Sequence, residues 1–357
     1  MKNLAFIGLL ASAFTLASCG GGTTIPSNLV LPGSPQSYLS PPTYVQGTDE
    51  YNAFYAINTF RFNLGLGYWQ QNVLLDQAAQ NHMAYSTAND SSFEQDLETE
   101  ATPALTGFTG TTPSLRAIYS NYYVFTNTIT QTNIKAASVG ELYSVGTGAN
   151  VLQTMANTVY HRSGLMTQST RSVGLARDTS GTASANTHWW ISHGKLDSGQ
   201  SVPSSYFSVY PLNQMSNVPL SMTMESPSVF PAYTTAAQFA ANTSSPISIH
   251  TAAINKLNVT NITVTMQGSG TPLPGKVFTM SNDPNLNTAS YSAAALNLTS
   301  PPPPAPTIPG YEAYWIGTAP FLPNTTYTVN FTGSTYLTVY GLSNNVAQTW
   351  TFTTASQ

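Results

Sequence analysis

Apolar residues recur at helical spacing in the first half of the chain, whereas apolar and polar residues alternate in much of the second half. Thr48 offers an N-cap hydroxyl ahead of two acidic residues, which predicts a helix from there to about Asn63. A second helix carries the apolar set Leu75, Ala78, Ala79, His82 and Met83. This spacing places His82 on the apolar face of its helix, and we interpret it as a core histidine.

Two further helices are predicted farther along the chain. Thr112 and Pro113 have the pattern of a cap followed by proline at the first helical position, so a short third helix should follow. A fourth helix carries the apolar set Val151, Leu152, Met155, Ala156 and Val159. His161 falls at or just past the end of this helix, from where its side chain could reach back into a cleft.

The pattern then changes to that of strands. Residues 172–177 and 188–194 alternate and are rich in β-forming residues. Because their separation is odd, His188 and His193 lie on opposite faces of one strand. Trp189, Ile191 and His193 share a face and are interpreted as packing residues. Helices followed by strands indicate an α+β sandwich in which helices cover an antiparallel sheet.

The C-terminal part alternates in period two at residues 245–250, 256–265, 325–331 and 349–354. Short strands separated by Pro, Gly and Asn turns predict an all-β sandwich over residues 243–357. Residues 322–329 and 350–354 resemble the end of bacterial Ig-like domains. Recurrent prolines favour an extended linker over residues 201–242, and the run Pro301 to Pro304 is predicted to be a stiff loop.

The N-terminus has the organisation of a signal peptide over residues 1–18. Lys2 precedes an apolar run from Leu4 to Leu16, which is shorter than the roughly 20 residues of a spanning helix. Cys19, directly after Leu-Ala-Ser, resembles the bacterial lipobox cysteine, which is diacylated and becomes the new N-terminus. The sequence therefore predicts a membrane anchor at Cys19, followed by a flexible tether over residues 19–47.

Composition narrows the range of partners. Charged residues make up 7% of the chain and the net charge is −4, so the surface is built mostly from uncharged polar side chains. The ten Lys and Arg residues are scattered, and nucleic acid is not an expected partner. Cys19 is the only cysteine, which excludes a disulfide within the chain.

Glu141, in Val139-Gly140-Glu141, and His161 are the candidates for site chemistry. Such residues form a metal site, an acid/base pair or two buried groups that satisfy each other. Zinc normally takes three or four protein ligands, and Glu94, in the acidic run of residues 90–100, is a further candidate ligand. The alternative for that run is a solvated loop. The sequence has no Gly-x-Ser-x-Gly elbow and no His-Glu-x-x-His helix.

Residues 48–200 resemble the CAP superfamily (SCP/PR-1-like) in its bacterial form without disulfides. The resemblance rests on four stretches, which are residues 58–61, residues 75–82 with Asn89, residues 139–141, and residues 160–162 ahead of 172–175. It implies a three-layer αβα sandwich with a central cleft, lined in many members by two His and two Glu that hold a divalent metal. Glu141 and His161 match two of these positions, whereas the other cleft histidine is missing and Leu142 replaces a family asparagine.

These features together predict a lipid-anchored protein of the cell envelope, at the outer membrane or cell surface. We expect a binding or interaction module whose Glu141/His161 cleft admits a divalent metal such as zinc or a small ligand. Its partners would be the membrane and a protein, peptide or lipid ligand. Two alternatives remain open, a cleft hydrolase acting on peptides or lipids through the Glu/His pair, and a structural spacer with a vestigial cleft.

Overall fold

The computed structural model describes residues 33–89, 100, 105–127, 132–136, 138–146, 149–178, 188–196, 199–286, 306–337 and 340–356. The predicted signal peptide, Cys19, Glu94 and the run Pro301 to Pro304 lie outside the described residues. In the described part of the chain, no helix combines the length and the apolar character needed to cross a membrane.

The described residues of the N-terminal unit form five helices: α1 (Asp49–Asn63), α2 (Val73–Ala88), α3 (Pro113–Tyr119), α4 (Ala149–Ala156) and α5 (Tyr160–Leu165). The first three confirm the predicted helices, and the Thr48 and Thr112 hydroxyls cap α1 and α3. The fourth predicted helix is shorter than expected. The Thr158 hydroxyl donates to the carbonyl of Met155, and the side-chain amide of Asn157 donates to the carbonyl of Ser221, outside the helix. His161 consequently lies in the first turn of a separate helix, α5.

A four-stranded sheet forms the centre of this unit. Its strands are β1 (Gln70–Gln71), β4 (Ser138–Val145), β5 (Ser172–Arg177) and β6 (His188–Lys195), in the order β1-β5-β6-β4. β1 is parallel to β5 and the other pairs are antiparallel. A hairpin of β2 (Tyr123–Asn127) and β3 (Thr132–Ala136) precedes β4. Both predicted strands, at residues 172–177 and 188–194, are confirmed.

Helices cover both faces of this central sheet because apolar side chains of its strands point alternately to the two sides. On one face, Leu142, Leu175 and Ile191 are buried against side chains of α1, α4 and α5. On the other face, Trp190 packs with Ala79 of α2, and α3 contributes Ala117 to a small neighbouring cluster. Burial of each large side chain stabilises the fold by roughly 1.5–3 kcal/mol.

The C-terminal unit is a β-sandwich. Its strands are β7 (Phe207–Tyr210), β8 (Met215–Val218), β9 (Ile247–Thr251), β10 (Asn255–Met266), β11 (Gly275–Thr279), β12 (Glu312–Gly317), β13 (Thr326–Leu337) and β14 (Leu342–Thr354). One sheet has the order β11-β12-β9-β7. The other has the order β10-β13-β14-β8, and we call it the outer sheet. Ile249, Trp315, Phe331 and Trp350 belong to the core between the two sheets. The described chain is therefore α+β, with more strand than helix.

Residues 201–242 were predicted to be an extended linker, but they carry structure that belongs to the sandwich. β7 pairs with β9, and β8 pairs with β14. Helix α6 (Ala236–Asn242) follows, capped by the Thr235 hydroxyl. Proline spacing gave the wrong picture here because the strands are four residues long and fit between the prolines.

The C-terminal part of the predicted tether, residues 33–47, is packed against the first unit. The amide N–H of Gln36 donates to Gln200 Oε1 at 2.8 Å, and that of Ser40 donates to Gln70 Oε1 at 2.9 Å. Leu39 and Tyr44 pack on the core beneath the central sheet. Glutamine side chains satisfy the backbone of this arm, which alternation and composition alone do not reveal.

Candidate functional site

Glu141 lies on β4 and points to the face of the central sheet that α2 and α3 cover. Its Oε2 atom lies 2.8 Å from His82 Nδ1 and also accepts a hydrogen bond from the Arg116 guanidinium. Its Oε1 atom accepts a hydrogen bond from the Ser192 hydroxyl at 2.9 Å. The Glu141 side chain is 3% exposed, and those of His82 and Arg116 are fully buried. Both carboxylate oxygens are therefore engaged inside the protein.

The electrostatics of this cluster favour an ionised Glu141. Burial alone would raise the pKa of the carboxyl, but the charge of Arg116 and the contact with His82 outweigh it and hold the pKa well below its usual range. A carboxylate held in this state accepts hydrogen bonds and neutralises a buried cation. It is a poor general base, because taking up a proton would leave the Arg116 charge uncompensated.

His161 belongs to a different cluster, at the junction of the two units. Its Nδ1 atom lies 3.2 Å from Glu225 Oε2, and its ring is 14% exposed. The same carboxylate accepts hydrogen bonds from the first amides of α5, at 2.8 Å from Val159 N and 3.0 Å from Tyr160 N. Glu225 thus caps the helix that carries His161, and its negative charge is favourable at a helix N-terminus.

The structure does not bring Glu141 and His161 together. Leu142, the residue after Glu141, faces the opposite side of the sheet, since strand side chains alternate. α5 packs directly on that side. A Cβ added to Gly164 of α5 would lie only 2.5 Å from Leu142 Cδ2. The central sheet therefore separates the Glu141 carboxylate from the helix of His161, and the expected Glu/His-lined cleft is not formed by these two side chains.

All three side chains of Tyr160-His161-Arg162 contact the C-terminal unit, and we call this set of contacts the joint. The Tyr160 hydroxyl donates to Asp283 Oδ1 at 2.6 Å. The Arg162 guanidinium is fully buried and donates to the carbonyl of Pro246 at 2.8 Å and to Ser248 Oγ at 3.0 Å. Burial lowers the pKa of Arg162, although the surrounding tyrosines and glutamates oppose this. The stretch that resembles a family signature here connects two units.

His82, His188 and His193 behave largely as the sequence predicted. His82 is completely buried on α2, which confirms a core position. His188 contacts the Tyr143 hydroxyl on one face of β6, whereas His193 stacks on Trp69 on the other, with ring centroids 4.9 Å apart. The contact between His82 and Glu141 was not predicted from the sequence.

The residues present do not fit a shared zinc site. Among the described residues, no group of three or more His, Cys, Asp or Glu side chains is arranged to hold a metal ion. The Glu141 carboxylate is already paired with the Arg116 guanidinium and the His82 imidazole. His161 lies on the other side of the sheet. Glu94 lies outside the described residues, and its ligand role stays a prediction.

Two residues that organise these clusters were missed from the sequence. Arg116 follows a recognisable helix cap, but nothing in its spacing shows that it enters the core. Glu225 precedes Ser226-Pro227 in a segment interpreted as linker. The sequence offers one signal, which is the scarcity of charged residues. In a chain with 7% charged residues, few Arg and Glu side chains serve on the surface, so those present are candidates for buried pairs.

A ligand-sized groove lies in the C-terminal unit, between edge strands β10 and β11 of the two sheets. Its volume is about 500 Å³, within the range of small-molecule pockets. Amide and hydroxyl groups of Asn258, Thr260 and Asn282 line it together with apolar side chains. β10 has a register shift between Val259 and Asn261, and both residues line the groove.

Comparison with known proteins adds little to this picture. No protein-family model matches the chain, and no curated protein matches it. Among solved structures, an outer surface protein from Borrelia burgdorferi is similar, with 17% sequence identity and a TM-score of 0.32. The match covers 43% of this chain and 97% of that protein. A TM-score this low supports no inference about fold or function.

Proposed function

We propose that this chain is an exported, lipid-anchored protein of the cell envelope that works as a non-catalytic binding module. It combines a CAP-type N-terminal unit with an Ig-like C-terminal unit. The observation that carries the proposal is that the two residues suited to cleft chemistry are committed elsewhere. Glu141 neutralises buried Arg116, and His161 holds the joint through Glu225.

Anchoring is supported by the order of features at the N-terminus. The apolar run from Leu4 to Leu16 is followed by Leu-Ala-Ser and then by Cys19, the only cysteine of the chain. A diacylated cysteine gives stable membrane attachment, where one acyl chain gives marginal binding. An outer-membrane or cell-surface position is the expected destination.

The CAP-type assignment is supported by the positions of the matching residues in the N-terminal unit. Helices cover both faces of its central sheet, and the four matching stretches fall on α1, α2, β4 and α5. Two of the matched polar side chains have structural roles that explain them. Asn58 bonds the backbone of Trp69, and Arg61 bonds the carbonyls of Gly67 and Leu165. The sandwich of the C-terminal unit supports the Ig-like assignment.

Binding is favoured over hydrolysis by access and by charge. A general base has to come within hydrogen-bond reach of its substrate, and Glu141 is covered by α2 and α3. The described residues offer instead the groove between β10 and β11, which is lined by neutral polar groups together with Lys256 and Glu312. This composition suits a small polar ligand or a short peptide, and we assign ligand contact to this groove.

The anchor is tested by expressing the full chain in a lipoprotein-processing bacterium and measuring the mass of the mature N-terminus. We expect cleavage after Ser18, acyl groups on Cys19, and flotation with membranes that a Cys19→Ala variant loses. A mature protein with a free Cys19 thiol, or one cut at another position, would overturn the assignment.

The hydrolase alternative is tested with a panel of peptide and ester substrates, with and without divalent metals. We expect equal background rates for the wild type and for Glu141→Gln and His161→Ala variants that remain folded. Turnover by the wild type that both variants lose would show that the two residues cooperate in catalysis, contrary to the proposal.

A further inference from the structure

The arm of residues 33–47 enters the folded body at a fixed point. The Gly33 carbonyl accepts a hydrogen bond from the Ser201 hydroxyl at 2.8 Å. A Cβ on Gly33 would lie 2.2 Å from the Gly199 carbonyl oxygen, and both glycines have positive φ, +89° and +73°. Only glycine permits this close approach of two backbones. The chain that leads back toward Cys19 therefore starts from one defined position.

Gln200 makes the surroundings of this entry point rigid. Its buried side chain accepts from the amide of Gln36 at 2.8 Å and donates to the carbonyls of Gly67 and Tyr68 at 3.3 Å. The arm, the loop that follows α1, and the segment before the second unit all meet at this one amide group. We call this region the entry corner.

Aromatic rings are exposed beside the entry corner. Tyr38 is 67% exposed and Phe62 is 60% exposed. Phe62 stacks on Tyr68 with ring centroids 5.5 Å apart and planes 4° apart. Tyr38 and Tyr68 are tied to the corner through their backbones, because Gln70 Nε2 donates to the Tyr38 carbonyl and Tyr68 N donates to the Gln36 carbonyl. Exposed rings held on a rigid base are typical of interaction surfaces.

Two cations stand next to the same point. Arg171 Nη2 lies 3.4 Å from the position of a Cβ on Gly33, and Lys195 Cδ lies 2.7 Å from that of a Cβ on Gly199. Two of the ten Lys and Arg residues of the chain therefore lie beside the entry of the tether. This charge is complementary to anionic lipid headgroups.

We propose that the entry corner is the membrane-facing surface of the anchored protein, with Tyr38, Phe62 and Tyr68 in the headgroup region and Lys195 against anionic lipids. The inference rests on the proposed acylation of Cys19. Gly33 follows Cys19 by only fourteen positions in the sequence, a length that reaches at most about 50 Å when fully extended. Aromatic rings favour the membrane interface, and basic residues are attracted to an anionic membrane surface.

The test uses the full lipidated chain in vesicles of phosphatidylcholine and phosphatidylglycerol. Cys19 is the only native cysteine and is consumed by acylation, so one introduced cysteine takes one fluorophore. Ser37→Cys places the dye in the exposed arm beside Tyr38, and Gln348→Cys places it on the exposed side of β14 in the outer sheet. A quencher attached to lipid headgroups then reports which dye lies at the membrane.

We expect several-fold stronger quenching at position 37 than at position 348. The difference should shrink in a Tyr38→Ser/Lys195→Gln variant and in vesicles without phosphatidylglycerol. Equal quenching of the two dyes in a protein that floats with the vesicles would overturn the membrane-facing corner and leave the anchor intact. A chain that does not float would overturn the anchor as well, so the two failures are distinguishable.

Discussion

The imidazole of His161 lies 3.2 Å from the carboxylate of Glu225, and this contact crosses from the N-terminal to the C-terminal unit. The flanking residues do the same, since Tyr160 bonds Asp283 and Arg162 bonds Ser248. A histidine that was predicted from the sequence to line a cleft is thus part of a polar joint. The two units share buried contacts at this joint, which predicts that they unfold together.

Replacement of Glu225 should weaken the joint. In Glu225→Ala the first amides of α5 lose their acceptor while buried, and we expect a loss of about 2–4 kcal/mol in the free energy of unfolding. Denaturant unfolding measures the loss, and hydrogen exchange of residues 159–166 should accelerate. Glu225→Gln keeps an acceptor oxygen and should lose less. Equal stability of Glu225→Ala and the wild type would show that the cap contributes nothing.

Removal of the Glu141 carboxylate should be among the most costly single changes in the N-terminal unit. Glu141→Ala leaves the Arg116 charge buried without a counter-ion, which typically costs about 3–5 kcal/mol. Glu50→Ala, which removes a partly exposed partner of Arg177, is the matched control and should cost at most about 1 kcal/mol. Similar losses in the two variants would mean that the Glu141 cluster is not an internal ion pair.

The same carboxylate gives a pH dependence with a defined sign. Its pKa in the folded protein lies below the ordinary value of 4.5, so its contribution to stability is present above that value. The contribution is lost as the pH falls through the folded pKa. Unfolding measured between neutral and strongly acidic pH should therefore show a steeper acid loss in the wild type than in Glu141→Gln.

His193 should add a second loss of stability at higher pH. Burial, with the nearby charge of Arg61, lowers its pKa to about 4 from 6.5, so the folded state holds it neutral. The unfolded chain binds the proton first, and stability that is present above about pH 6.5 falls as the pH drops toward 4. The expected loss is roughly 3 kcal/mol. A His193→Gln variant should lack this step; an unchanged profile in that variant would contradict the assignment.

A side chain at Gly140 should destabilise the fold while His193 is present. A Cβ on Gly140 would lie 2.8 Å from two ring atoms of His193, its partner on β6. We expect Gly140→Ala to cost about 1–3 kcal/mol by displacing the ring from Trp69. Gly270→Ala, where a Cβ meets nothing within 4 Å, is the control and should be near neutral. Measured stabilities that rank the two variants in the opposite order would refute this account of Gly140.

The helices and strands were largely predictable because local signals determine them. Thr48 and Thr112 cap helices in the expected places, and period-two alternation marks β10 and β13. The joint was not predictable, because Glu225 and Asp283 lie about 65 and 120 residues from their partners and no periodicity links them. Local patterns specify elements, whereas pairs of this kind depend on how the elements pack.

The Glu141/His161 pairing failed for a related reason. Both residues were chosen for their chemistry and for their matching positions in a family pattern, and neither criterion shows which face of a sheet a side chain occupies. Once β4 is placed, alternation fixes Glu141 toward α2 and Leu142 toward α5. His82 was correctly assigned to the core, but its position on α2 also made it the partner of Glu141.

The most direct test of the account is a double-mutant cycle for unfolding with Glu141→Gln, His161→Ala and the combined variant. The structure predicts additive effects within about 0.5 kcal/mol, because the two side chains lie in separate networks on opposite sides of the central sheet. The parallel cycle of Glu141→Gln with Arg116→Met should show coupling of about 1–3 kcal/mol. Strong coupling between Glu141 and His161 would contradict the account and restore the paired cleft.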